Sequence, residues 1–340
     1  MPRQARIDTP CALHHIIARG IERSKIFRED ADYEDFLRRL GLLLLETETK
    51  CFAWALIPNH FHLLLKTGNV PIATLMGRLL SGYATGFNRR HQRNGHLFQN
   101  RYKSILCQED TYLKELVRYI HLNPLRARLV GDIAALDDYP YSGHGSIMGK
   151  QENEWQTTDS ILEIFSSNLS QARHNYHEYV ADGATLGNQP GLTGGGLIRS
   201  AGGWSGIQQL RKAGSFQKSD ERILGDGDFV ESVLAEADEK MTRRSAYKAK
   251  GLSLDYLQQS VATLIGIVPE DLVGASKARK VTKGRALFCY LAVREMGNSM
   301  TEIAKRLKIA LPTVSGAVQK GENIVKVECL NIDNLLNVNI

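Results

Sequence analysis

Apolar residues in the first 130 positions follow two alternating spacings, one of two residues and one of three to four. Short apolar runs bounded by turn residues predict four strands, at 13–18, 51–57, 60–66 and 102–107. Longer segments with the helical spacing predict three helices, at 30–47, 71–93 and 110–122, the first with Asp30 as its cap. This order of strands and helices is typical of an antiparallel sheet covered by helices, an α+β fold.

The periodic spacing of apolar residues is weaker after residue 136. A helix is expected over 159–180. The glycine-rich stretch 183–206 has the composition of a flexible connector, although such a stretch can also be an ordered loop against a ligand. We therefore expect four segments along the chain. They are a first domain over 1–145, a helical and connecting segment over 146–250, an all-α domain over 251–328 and a tail over 329–340.

Amphipathic spacing returns in the C-terminal part, where four consecutive helices are predicted at 254–265, 283–295, 301–307 and 312–324. Ser299 is placed to cap the third helix, and Pro312 falls in the first turn of the fourth, where proline is tolerated. The last two helices have the length and turn of a helix-turn-helix, although small helical bundles share this pattern. In that arrangement the last helix offers four polar side chains to DNA, namely Thr313, Ser315, Gln319 and Lys320.

Basic residues exceed acidic residues modestly, 43 Lys and Arg against 37 Asp and Glu, which gives a formal net charge of +6. Two stretches without acidic residues, 89–103 and 275–294, hold much of the excess. Such stretches are either phosphate-binding surfaces or ordinary solvated faces. The basic residues predicted to contact DNA are Arg89, Arg90, Arg93, Arg101, Lys103, Arg118, Lys277, Arg279, Lys280, Lys283 and Arg285.

The five cysteines are scattered and lack C-x-x-C spacing, which argues against a disulfide framework and a zinc ribbon. The glycines form no P-loop motif and so do not indicate a nucleotide. No apolar stretch approaches the roughly 20 residues of a membrane span. We therefore expect a cytoplasmic protein without a membrane partner.

The pair His60 and His62 carries the strongest chemical signal in the chain. Because side chains alternate across a strand, both imidazoles point to one face while Phe61 points to the other. Two imidazoles side by side on an apolar strand are half of a metal site. The alternative is that both are ordinary core histidines.

The helix predicted over 110–122 supplies the partners of such a site. Tyr119 and Asn123 are four residues apart, so a phenol and an amide carbonyl lie side by side on one flank of its buried face. His121 projects to the opposite flank, and Tyr112 is a second candidate nucleophile on the flank of Tyr119. A tyrosine oxygen can attack a phosphodiester and leave DNA covalently attached. A neighbouring cation would favour ionisation of the phenol, and Arg118 and Lys103 are candidates.

The His-Phe-His strand and the downstream run Tyr119-Ile-His-Leu-Asn123-Pro124 resemble the single-tyrosine HUH transposases, and within them the REP-associated tyrosine transposases. The resemblance covers about residues 1–145. It implies a ferredoxin-like HUH nuclease domain in which His60, His62 and Asn123 hold Mg²⁺ or Mn²⁺ and Tyr119 is the nucleophile. It also implies that the substrate is hairpin-bearing (REP-like) single-stranded DNA, cleaved to a 5′-phosphotyrosine and a free 3′-hydroxyl.

Two features depart from this family. Many insertion-sequence members carry Gln at the position of Asn123, and the shorter side chain changes the reach of the carbonyl toward a metal. The minimal transposases also lack the long C-terminal extension. Its helices are similar to the DNA-binding domain of the bacterial replication initiator, which implies contact with duplex DNA.

Metal-dependent nicking and strand transfer is the leading hypothesis. A second is a sequence-specific DNA-binding regulator that retains the transposase fold without catalysis. A third is a hydrolytic metallonuclease that cuts without becoming attached to DNA. The sequence leaves open whether the protein is a monomer or a homodimer, and whether Tyr119 serves the histidines of its own chain or those of a partner.

Overall fold

The computed structural model describes residues 7, 11–68, 70–186, 192, 220, 222–235, 247, 252–274, 276–328 and 330. The chain divides into two compact units, Met1–Ser232 and Val233–Ile340. The first unit thus extends past the boundary predicted at residue 145, because later helices complete one of its cores. Most of the connector predicted over 183–206 and nearly all of the tail predicted over 329–340 lie outside the described residues.

A five-stranded sheet forms the centre of the first unit. Its strands are β1 (Leu13–Arg19), β2 (Lys50–Ile57), β3 (His60–Lys66), β4 (Lys103–Cys107) and β5 (Ile223–Leu224). They are arranged in the order β2-β3-β1-β4-β5. The first four strands pair antiparallel in a ferredoxin-like order, which confirms the predicted fold. The short β5 pairs parallel to β4, so the whole sheet is mixed and the prediction of a purely antiparallel sheet is corrected.

Helices cover both faces of this sheet. They are α1 (Asp30–Thr47), α2 (Ile72–Arg90), α3 (Glu109–His121), α4 (Asn123–Arg126), α5 (Ile133–Asp137), α6 (His144–Met148), α7 (Asp159–Leu162) and α8 (Leu169–Ala184). The cap of α1 is Glu29 rather than Asp30, because Glu29 and Asp32 accept reciprocal hydrogen bonds. The single helix predicted over 159–180 is two helices, since Asn168 begins α8 by accepting from the backbone of Gln171.

Alternation along the strands divides the buried side chains between two cores. On one face, α1 and α2 pack on residues such as Phe61 and Leu63. On the other face, the helices from α3 onward pack on residues such as Leu13 and Leu64. This division leaves the face of β3 that carries His60 and His62 turned toward α3.

The second unit is helical in its described part. Its helices are α9 (Leu254–Ile265), α10 (Arg279–Tyr290), α11 (Met300–Leu307) and α12 (Leu311–Val327), and a π-helical turn, Leu291–Glu295, follows α10. The Ser299 side chain accepts from the backbone of Glu302 and caps α11 as predicted, and Pro312 lies in the first turn of α12. Within the described ranges, no helix of the protein is long and apolar enough to cross a membrane.

Candidate active site

Strand β3 places His60 and His62 on the same face, with their ring centroids 5.2 Å apart. Phe61 between them is fully buried in the core of the opposite face. His60 is partly exposed, whereas His62 is buried. The spacing of two along a strand therefore brings the imidazoles together, as the sequence predicts.

Helix α3 and the start of α4 bring Tyr119 and Asn123 to the same place. The ring of Tyr119 lies edge-on to His62, with the centroids 5.9 Å apart. Tyr119, Asn123, His60 and His62 all line one open cavity of about 460 Å³. Residues 57 to 63 positions apart in sequence thus form a single site within one chain.

The chemistry of these side chains fits a divalent cation. Burial lowers the pKa of His60 to about 4, with a contribution from Arg19, so its imidazole is neutral near pH 7 and carries a lone pair. Burial also holds the pKa of His62 well below its ordinary value. The Asn123 amide nitrogen donates to the carbonyl oxygens of Tyr119 (2.8 Å) and Ile120 (3.3 Å). Its carbonyl oxygen therefore remains for the cavity, where a hard cation would prefer it.

Basic side chains surround the same cavity. Arg19, Arg101 and Lys103 line it, and the last two are among the residues predicted to contact DNA. Arg126 lies over the ring of Tyr119, with its guanidinium carbon 5.0 Å from the centroid, and donates to the Tyr119 carbonyl oxygen at 3.3 Å. Arg126 is absent from the residues predicted for the site, because the helix predicted over 110–122 ends before it.

Three other residues near the predicted nucleophile have different surroundings. Arg118 lies over the ring of Tyr179, 4.0 Å from its centroid, and does not line the cavity, so its part in ionising the phenol stays a prediction. Tyr112 packs in the second core, where burial and Glu115 raise its pKa. His121 projects away from the cavity as predicted, and its Nδ1 lies 2.7 Å from the Tyr176 hydroxyl.

The basic stretch at the end of α2 is only partly available to DNA. Arg90 donates to the buried carboxylate of Asp32 at 2.5 Å, and Arg93 lies against the ring of Phe87. Arg89 is exposed. Glu29, Asp32 and His91 come close enough to ligate a metal. The charge of Asp32 is already matched by Arg90, and the carboxylate accepts from the start of α1, so we interpret this group as structural.

In the second unit, Lys277, Arg279 and Lys280 are exposed at the start of α10, and Lys283 is paired with Glu328. Arg285 is buried and donates to the carbonyl oxygens of Leu272 and Ser276, both at 3.1 Å. Its predicted contact with DNA is therefore corrected, because its guanidinium holds the preceding loop. The predicted polar residues of α12 are exposed or partly exposed: Thr313, Ser315, Gln319 and Lys320.

A histidine pair, a helical tyrosine and an asparagine are thus gathered over a ferredoxin-like sheet. Residues 11–123 match the family model described as IS200-like transposase. The part of the chain that is similar to this family accounts for about a third of its length.

Two individual proteins are similar to parts of the chain. The chromosomal replication initiator protein DnaA of Pseudothermotoga lettingae is 30% identical over 91 residues, which are 27% of this chain and 20% of the relative. The chain thus spans about a fifth of the length of that relative. A solved structure of a REP-associated tyrosine transposase bound to a REP hairpin covers 46% of this chain and 98% of its own, with a TM-score of 0.37 and 14% identity.

Proposed function

We propose that the first unit nicks single-stranded DNA beside REP-like hairpins and transfers the cut strand through a 5′-phosphotyrosine. The observation that carries this proposal is that Tyr119, His60, His62 and Asn123 line one cavity of one chain. A phenol nucleophile, two neutral imidazoles and an amide carbonyl are the parts that phosphodiester transfer requires. All four come from the same polypeptide, so the proposal requires no second copy.

The chemical step begins with attack of the Tyr119 oxygen on the phosphorus of the scissile phosphodiester. A Tyr119 O–P bond forms, the bond from phosphorus to the 3′ oxygen breaks, and that oxygen leaves as a 3′-hydroxyl after taking up a proton. The phenolic proton passes to solvent or to a neighbouring base. Because the phosphotyrosine conserves the ester bond, a 3′-hydroxyl of a second strand can later displace Tyr119 without a nucleotide cofactor.

His60, His62 and Asn123 are the residues that would hold Mg²⁺ or Mn²⁺. Such an ion supplies Lewis-acid polarisation of the non-bridging phosphate oxygens. The protein's own contribution is to fix the position of the phosphate. Arg19, Arg101 and Lys103 line the cavity and would bind the phosphates on either side of the scissile bond.

Formation of a covalent adduct is the direct test. The full-length protein is incubated with end-labelled hairpin-bearing single strands and Mn²⁺, denatured and separated by electrophoresis. We expect a protein–DNA band that requires metal and that disappears in Tyr119→Phe, while Tyr112→Phe retains it. Cleavage without any band would identify a hydrolytic nuclease, and cleavage by Tyr119→Phe at the wild-type rate would exclude the assigned nucleophile.

The second unit is proposed to bind duplex DNA and bring the transposase domain to its target. Its support is the set of exposed basic residues before and on α10, and the polar residues of α12. Phosphate contacts by such residues make affinity depend steeply on salt. Replacing Lys277, Arg279 and Lys280 together by alanine should weaken duplex binding about 10-fold or more at physiological salt and leave adduct formation on short hairpins unchanged.

A regulator without catalysis is the competing proposal, and the same two assays separate it. It requires duplex binding that depends on the second unit and no adduct with any metal or strand. An adduct that depends on Tyr119 excludes it.

A further inference from the structure

We propose that His15 and Asn59 are positioning residues that turn the Nε2 atoms of His62 and His60 toward a shared cation. This inference rests on the proposed function, because it assigns the contacts that orient the metal-binding pair. Each histidine of β3 has its Nδ1 atom engaged by a neighbouring side chain. The partner of a ligating histidine fixes both the ring orientation and the tautomer, which decides whether the other nitrogen can bind a metal.

Asn59 fixes the first histidine. The Nδ1 atom of His60 lies 2.7 Å from the Oδ1 atom of Asn59, the preceding residue in the turn between β2 and β3. An amide oxygen only accepts hydrogen bonds, so the proton of the neutral imidazole must reside on Nδ1. The lone pair is then on Nε2, and His60 lines the cavity.

His15 engages the second histidine from the adjacent strand. Its Nε2 atom lies 3.0 Å from the Nδ1 atom of His62, and the two rings stack with centroids 5.2 Å apart. In the register of β1 and β3, His15 is opposite Leu64 and thus diagonal to His62. Both rings are buried, so this contact excludes water as an alternative partner for the His62 Nδ1.

Two tautomeric arrangements satisfy this contact, and only one is compatible with a metal. If His15 donates, the proton of His62 is on Nε2 and points at the cation. If His62 donates from Nδ1 to the Nε2 of His15, the lone pair of His62 is on Nε2 and can ligate. A bound cation therefore selects the second arrangement, and His15 acts as its acceptor.

His14 supplies a matched control. It is as buried as His15 and adjacent to it in β1, but it points to the opposite face, where its Nδ1 lies 3.2 Å from the Ser104 hydroxyl. A change at His14 perturbs a buried histidine of the same strand without touching His62. It therefore separates the loss of a core imidazole from the loss of the acceptor.

The test measures Mn²⁺ binding to the full-length protein by electron paramagnetic resonance in the absence of DNA. We expect His15→Phe, which keeps the ring and removes the acceptor, and Asn59→Ala to weaken Mn²⁺ binding about 10- to 100-fold each. His15→Gln and Asn59→Asp, which restore an acceptor oxygen, should recover most of the affinity. His14→Phe should bind Mn²⁺ like the wild type. In cleavage assays, added Mn²⁺ should restore the rate of His15→Phe.

The outcomes distinguish the inference from the function on which it rests. If the wild type itself fails to bind Mn²⁺, the metal site is wrong and the inference is overturned with it. If the wild type binds and both His15→Phe and Asn59→Ala bind equally well, the inference alone is overturned. Should His15→Phe fail to fold by circular dichroism, Asn59→Ala in the partly exposed turn decides the result.

Discussion

The two units differ in what they bury. All ten histidines of the chain lie in the first unit. That unit buries several polar side chains, among them His14, His62, Asp32 and Asn123, whereas the described buried polar residues of the second unit are Arg285 and Glu322. Burying polar groups is costly unless they are bonded, and each of these four side chains has a hydrogen-bond partner in the first unit. The second unit instead has a mainly apolar core and exposes basic residues such as Lys277, Arg279 and Lys280.

The largest expected effect tests whether chemistry belongs to the first unit alone. His62→Ala removes a proposed ligand from the cavity. Because losing an outer partner of a ligand costs about 10- to 100-fold, losing the ligand itself should reduce cleavage at least about 1000-fold. Duplex binding should be unchanged, as measured by fluorescence anisotropy on the same preparation. Loss of both cleavage and duplex binding would contradict the proposal that the first unit cleaves DNA and the second unit binds the duplex.

The histidines also make the stability of the two units differ in acid. Burial lowers the pKa of His14 from 6.5 to about 4. Between these two pH values the His14 imidazole is protonated in the unfolded chain and neutral in the folded chain. The unfolding free energy of the first unit should therefore fall as pH falls from about 6.5 to 4. The shift of His14 alone should lower the unfolding free energy by about 3 kcal/mol once the pH reaches about 4. Burial shifts the pKa of His144 in the same direction.

Tryptophan fluorescence measures this effect, because Trp54 and Trp155 lie in the first unit and residues 233–340 contain no tryptophan. Urea unfolding at several pH values should give midpoints that fall with acid. The helical circular dichroism that remains after this transition should report the second unit, with a midpoint independent of pH over the same range. His14→Leu should remove its share of the dependence, and a flat profile in the wild type would contradict the assignment.

Close packing between helices stabilises the second unit. Substitutions at two glycines of α12, Gly316 and Gly321, test this contribution. A Cβ atom at Gly321 would lie 2.1 Å from the Ala286 carbonyl oxygen on α10, whereas one at Gly316 meets nothing within 4 Å. Gly321→Ala should destabilise this unit by about 1–3 kcal/mol through overpacking. Gly316→Ala should stabilise it by about 0.5–1 kcal/mol. Amide hydrogen exchange of α10 in the full chain reports both changes, and equal effects would contradict the packing.

Pairs of site residues that lie a few positions apart in the chain could be predicted from the sequence. His60 and His62 share a strand, and Tyr119 and Asn123 are one helical turn apart, so a local period places each pair on one face. The periodicity predicted an antiparallel sheet covered by helices, and the family resemblance implied its ferredoxin-like order. These predictions needed no knowledge of how strands pair.

Residues whose roles depend on contacts between elements were not found. The contact of His15 with His62 depends on the register between β1 and β3, which alternation along either strand does not specify. The two residues of β5 are too few to carry a pattern. Arg285 was assigned to DNA because of its charge, although it lies four residues after Val281 and four before Cys289, both buried. The spacing of Arg285 indicates a buried side chain, and this was a better guide to its position than its charge.

The smallest expected effect concerns Arg126, the basic residue that packs on the proposed nucleophile. A guanidinium over an aromatic face contributes about 1 kcal/mol, so Arg126→Gln should reduce the rate of adduct formation about fivefold by loosening the orientation of Tyr119. The single-turnover rate should fall while the DNA concentration at half-saturation stays the same. Arg128→Gln, which changes an exposed arginine two residues away, should have no effect on the rate. Equal rates for the two variants would show that Arg126 acts only as part of the surface charge, like the exposed basic residues of the second unit.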